Sequence, residues 1–492
     1  MALFLPQHTN KDFKSYNSQI QSNKPVIVMK KQLLSAILLG AALALQAQDN
    51  KGGISAEMLE QIQQSYQNTA SDKAIRNAIG SNSIKSLALN QENQGEVNAD
   101  FSIIVESKGI TDQQSSGRCW LFTGLNIMRA KAIARYDLPG LEFSQAYSFF
   151  WDQLEKANLF LQGIIDTADK PMTDQTVEWL FKHPLSDGGT FTGVADIVTK
   201  YGLVPKEAMP ETYSSDHTSQ MSSLIGLKLK EYGLTLREKV AANAKGSELE
   251  SMKTEMLGTV YRMLVLNLGM PPTSFDYVRK DAQGKRVEVE HHTPQSFLEK
   301  YGDSQLLTNY VMVMNDPTRE YYKCYEIAYD RHRYDGKNWR YVNLPVEDIK
   351  QMAIASLKDG TRMYFSSDVA QLDSKRGLLD VDNYDYGSLL GTTFGMNKKQ
   401  RIQTFASLSA HAMTLMAVDL DADGRPVKWM VENSWGPSAG YKGHLIMTDR
   451  WFDEYMFRLV LETKYVPAKV LKIFEQEPVL LPAWDPMFAE EQ

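Results

Sequence analysis

"DQQSSGRCWLF" fills positions 112–122, and the reading of Cys119 within it decides the fold. Cys119 is one of two cysteines in the chain; Cys324 is the other. A lone cysteine before tryptophan and an apolar run has four readings: small buried hydrophobe, half of a disulfide, metal ligand or nucleophile. With no CxxC pair and no HExxH, thiolate metal binding has little support. "WLFTGLNIMRAKAIARY" after Cys119 predicts a long helix, apolar nearly all round and so buried between lobes. That places the thiol at a helix N-terminus, where unpaired N–H groups and the dipole favour an anion. Gly117 allows the tight turn into it.

A thiolate enzyme also needs a base and a group that orients the base. "HAMTLMAVDLDADGRPVKWMVENSW" (411–435) reads as two strands around a turn at Asp421–Gly424. If 420 meets 424, His411 meets Asn433 across the hairpin, with a register uncertainty of a residue or two. The Asn433 amide then holds the tautomer of His411, and Trp435 covers the pair from water. Gln113, six residues before Cys119, offers a side-chain amide for a developing oxyanion beside the Cys119 N–H.

The pattern Q-x5-C-W, a distant histidine and "ENSWG" resembles the papain-like cysteine peptidases. Ser116 stands where that family has a disulfide cysteine, and Arg118 replaces a small residue. His411 lies 292 positions beyond Cys119, against roughly 130–150 in the ordinary spacing, so a long insertion separates the lobes. "SGRCW" together with "SQAYSFFWDQLEKAN" (144–158), "SDGG" (186–189), "KYGLVPKEAMPET" (200–212), "LNLGMPP" (266–272), "DRWFDEY" (449–455) and "LPAWDPM" (481–487) resembles the bleomycin hydrolase/aminopeptidase C branch.

The resemblance implies an α+β, papain-like fold: a helical lobe, a β-barrel lobe, a helical and hairpin insertion, and a C-terminal arm. It implies Cys119 as nucleophile, His411 as base and acid, Asn433 as orienter and Gln113 as oxyanion donor. Gly188 and Gly189 match the glycine pair that receives substrate backbone, Trp435 borders the cleft, and Gln492 ends an arm reaching it. The implied activity is cysteine aminopeptidase, with no cofactor and no metal, acting on peptides as a homohexamer. A same-fold endopeptidase with a displaced arm and a non-catalytic hexameric binding protein are the alternatives. The tail "FAEEQ" is bulkier and more acidic than the family's Gly/Ala-rich ending.

Further out, the 492-residue length favours more than one lobe. The expected divisions are an upstream extension (1–28), a signal segment (29–47), an N-terminal arm (48–100), the helical lobe (101–214), the insertion (215–330), the β lobe (331–470) and the C-terminal arm (471–492). Lys30 and Lys31 before the apolar run Leu33–Leu45 form a secretory signal pattern starting at Met29. The run is too short to favour a stable membrane span. Export to periplasm or medium is expected, or a cytoplasmic location if the signal is unused. Residues 1–47 carry five lysines and one aspartate, so their removal would take the net charge from -7 to -11. Nucleic acid is therefore not expected as the main partner. Cys324 reads as an unreactive core thiol.

Overall fold

The computed structural model describes residues 52–488, Ser107 and Pro139 excepted. The expected upstream extension, the signal segment and Gln492 lie outside the described residues. By its contacts the chain divides after Ser81.

The first unit contributes two described helices, Ala56–Ser65 and Ala70–Ile79. Ser55 caps the first by accepting from the Met58 N–H. Thr69 and Asp72 form a capping box on the second. Neither helix buries a residue.

In the second unit, the helix Cys119–Tyr136 runs through the core, and every residue from Cys119 to Arg129 is buried. An all-round apolar sequence produces this, because no face is suited to water. Gly124 lets the helix Phe191–Tyr201 approach closely: a Cβ there would lie 2.6 Å from a Val194 methyl. Gln145–Asp166 packs on the same helices, with the long pair Thr218–Ala241 and Gly246–Leu268 outside it. The last of these stops at Gly269, whose φ of 90° suits a residue without a side chain. A separate hairpin, Phe275–Lys280 with Arg286–His292, turns at Gly284, whose φ is 77°.

The β lobe is built on one 12-stranded sheet. Its central strands run, in order, Tyr310–Met314, Met456–Glu462, Met363–Ser367, His411–Leu420, Pro426–Glu432 and His444–Thr448. Their inward faces and the helix Val346–Lys358 enclose a second apolar core that includes Trp429, Phe365 and Leu415. Two strands, Tyr310–Met314 and Lys323–Ile327, fall inside the expected insertion yet belong to this sheet. The helical and hairpin insertion therefore ends before 310, not at 330. Sequence periodicity missed this because "YVMVM" and "KCYEI" are short and carry no clean apolar–polar alternation.

Candidate active site

Cys119 opens its helix with Arg118 at the N-cap, and no side chain caps that end. The first-turn N–H groups are thus not taken by a capping side chain, and they point toward the thiol end. Arg118 is fully buried, and its charge is answered by Glu211. It bonds Glu211 at 2.8 Å and Ser116 Oγ at 3.0 Å, with the rings of Phe122 and Phe149 on its faces. Gly117 donates to Asp187 at 2.9 Å, and the Trp120 indole donates to the Asp187 carbonyl at 2.9 Å. Asp187 therefore pins both flanks of Cys119.

The β lobe meets the thiol at the start of the His411 strand. The Ala412 N–H lies 3.4 Å from Cys119 Sγ. His411 Nε2 lies 2.8 Å from Asn433 Oδ1. The Ser434 N–H also donates to Asn433 Oδ1, at 2.8 Å, which fixes the oxygen on the imidazole side. With Oδ1 accepting, Nε2 carries the hydrogen and proton exchange with Cys119 falls to Nδ1. The Trp435 ring stacks on His411 with centroids 4.7 Å apart.

Gln113 is tied across the lobes. Its N–H donates to the Ser434 carbonyl at 2.8 Å, and the Ser434 hydroxyl donates to Gln113 Oε1 at 2.6 Å. Gln113 Nε2 donates to the Ser116 carbonyl at 2.6 Å. That amide has a second N–H, so a donor remains for an oxyanion beside the Cys119 N–H. Cys119, His411, Asn433 and Gln113 are each at most 4% exposed, so charge formed among them is weakly screened.

Gly189 packs against Trp120, the residue after Cys119. The ammonium of Lys156 holds the Gly188 and Ser186 carbonyls, and Asp152 at 3.1 Å balances it. A Cβ at Gly189 would lie 2.7 Å from the Trp120 ring and 2.3 Å from His332. Glycine is required here from beneath, by packing, as well as by any close approach from above. A groove of about 400 Å³ starts at Gly189 and Thr190; Phe160, Trp179, Tyr329 and Phe405 line it, and Ala483–Phe488 form one wall. Neither Cys119 nor His411 lines that groove. The C-terminal segment is anchored by Arg319 on Asp485, by Arg458 on the Met487 carbonyl at 2.5 Å, and by Phe488 on Trp179 at 5.5 Å.

Both cysteines are free thiols, so the disulfide reading falls. Cys324 is 2% exposed, and burial pushes its thiol up to about 11, which keeps it neutral and inert. His291 and His292 point apart, His291 to Asp276 and His292 to Glu290.

The sequence profile of the peptidase C1-like family matches residues 53–488. The chain belongs to the peptidase C1-like family. Aminopeptidase C of Lactobacillus delbrueckii subsp. lactis is 37% identical over 84% of this chain and 93% of its own length. Bleomycin hydrolase of Homo sapiens is 38% identical over 78% of this chain and 86% of its own. The crystal structure of PepW from Lactobacillus rhamnosis superposes with a TM-score of 0.85 at 37% identity, over 89% of this chain and 99% of that one. Within this C1-like frame, the reading of the residues missed Ser434 and Asp187. Both sat inside quoted stretches, "ENSWG" and "SDGG", but their partners are 321 and 70 positions away. No local pattern encodes such a pairing.

Proposed function

We propose that this C1-like peptidase is a cysteine aminopeptidase acting on peptides through a thioester. His411 Nδ1 takes the Cys119 proton, and Sγ attacks the carbonyl carbon of the first peptide bond. The oxyanion is met by the Cys119 N–H and Gln113. His411 then protonates the leaving amine as the C–N bond breaks. A water, deprotonated by His411, cleaves the thioester and regenerates the thiol. Asn433 keeps the imidazole in the tautomer that both steps need.

The observation that carries the exopeptidase reading is the docking of Ala483–Phe488 along the groove that starts at Gly189. A chain segment fixed as one wall of this groove narrows the path for substrate extending past its own N-terminus, which disfavours the endopeptidase alternative. The aromatic lining favours an apolar residue at that end. Matched peptides with free and acetylated N-termini test the reading. Cleavage restricted to free amines is expected; equal cleavage of both forms overturns it.

Two further expectations belong to the same proposal. The lysine pair and apolar run from Met29 support export, so protein isolated from its host should begin near Gln48. Among the described residues no helix is long and apolar enough to cross a membrane. A homohexamer should show about six times the subunit mass in light scattering.

A further inference from the structure

Glu432 and its partners form a buried charge cluster that the catalytic reading does not use. Glu432, the residue before Asn433, is 2% exposed. Its Oε1 accepts from Arg129 at 3.2 Å and its Oε2 from Arg362 at 2.5 Å. Both arginine side chains are at most 4% exposed. Burying two cations around one anion has a large desolvation cost, and apolar side chains often serve stability equally well. What a bridging carboxylate supplies instead is fixed geometry between the groups that grip it.

Those groups come from the Cys119 helix, from the strand that runs into Asn433 and from the residue before the strand that pairs with His411. Arg129 lies on the Cys119 helix, ten residues on and so about 15 Å along a rigid axis. Arg362 precedes the strand Met363–Ser367, in which Ser367 pairs with His411. Glu432 ends the strand that runs into Asn433. The same arginines also hold the segment leading to Gln113: Arg129 donates to the Gly109 carbonyl at 3.0 Å, and Arg362 Nε donates to the Val105 carbonyl at 2.8 Å. Burial lowers the Arg362 guanidinium from its ordinary value, and Glu432 works against that shift. Glu106 and His444 are the other titratable groups whose charges couple to this cluster.

We propose that Glu432 is a positioning residue: its double ion pair locks the Cys119 helix to the strands of His411 and Asn433 and so sets the thiol–imidazole spacing. The inference rests on the catalytic reading above. Glu432 touches no substrate; it acts through the backbone of the elements it joins.

Arg129→Met and Arg362→Met each cut one link and leave a neutral ion pair, so neither strands an unpaired charge. Each should lower kcat by roughly 10- to 100-fold per folded molecule. KM should stay within about twofold, because the lost interaction is not one that binds substrate. The rate of Cys119 alkylation by iodoacetamide at neutral pH should fall in parallel, since it reports the thiolate that a well-placed imidazole maintains. Lys350→Met serves as the control: it removes the ion pairs of the buried Lys350 ammonium to Asp449 and Asp453, which bond neither a catalytic side chain nor Glu432, and should lower Tm while kcat per folded molecule holds. The proposal is overturned if Arg129→Met loses Tm as the control does yet keeps wild-type kcat and alkylation rate. Should Arg129→Met fail to fold, Arg129→Lys decides, because one ammonium keeps the charge without the guanidinium geometry. Reduced kcat then supports the clamp, and unchanged kcat refutes it. Full activity in Cys119→Ala would instead remove the catalytic reading itself, so the two failures are distinct.

Discussion

His411 Nε2 lies 2.8 Å from Asn433 Oδ1 although the strand ladder does not set the two residues opposite each other. The hairpin pairs Thr414 with Glu432 and Leu415 with Val431, with a register shift between Leu415 and Ala417. Continued outward, that register brings His411 toward Trp435, two residues from the expected Asn433. The stacked Trp435 ring occupies that place, and the Asn433 side chain reaches across to the imidazole.

The imidazole thus has two supports, a hydrogen bond and a ring. Asn433→Ala removes only the first and should lower kcat roughly 10- to 100-fold. His411→Ala removes the base and should cost about a thousandfold or more. Cys119→Ala should abolish hydrolysis, while Cys324→Ala should leave it intact, because that thiol is buried and neutral. Steady-state kinetics on one peptide across the four variants checks the order.

Gly189→Ala should destabilise the fold by about 1–3 kcal/mol. Its methyl would press on Trp120 and His332, which are buried and cannot move aside. Because Trp120 adjoins Cys119, kcat should fall with Tm. A Tm and kcat both equal to wild type would show that the close packing at Gly189 is not felt.

Acid should weaken the hairpin 275–292 through Glu290. Burial works against its charge, but hydrogen bonds from Lys300, His292 and Tyr301 hold it down at about 2, against an ordinary 4.5. A carboxylate with a depressed folded value contributes stability above pH 4.5 and loses it as pH falls toward 2. Between those limits the Tm of the wild type should fall more steeply than that of Glu290→Gln. Parallel curves in a thermal-melt series would exclude Glu290 as a source of acid lability.

Removing residues 488–492 takes away Phe488 and its contact with Trp179. Arg319 on Asp485 and Arg458 on the Met487 carbonyl lie upstream of the cut, so the core should stay folded. Cleavage of N-acetylated peptides should rise from near zero, and the preference for free amines should drop by roughly 30- to 1000-fold. Retention of the full preference would separate exopeptidase behaviour from the tail.

The sequence alone pointed to the candidate catalytic residues and determined most of the elements that carry them. Cys119 at a helix start, the 411–435 hairpin, the stop at Gly269 and the turn at Gly284 are all local: capping, periodicity and positive-φ glycine act within a few residues. The expected signal segment from Met29 is a reading of sequence on residues outside those described. Only the tertiary structure decided how the parts are held. The two-residue register difference at His411, the short strands at 310–327 that belong to the β lobe, and the ties from Ser434 to Gln113 and Asp187 to Gly117 join distant positions. So does the Glu432 clamp, whose partners lie 303 and 70 positions away. A buried ion or amide requires a partner for lack of water, but which partner answers depends on how lobes pack, and packing leaves no periodic trace in the chain.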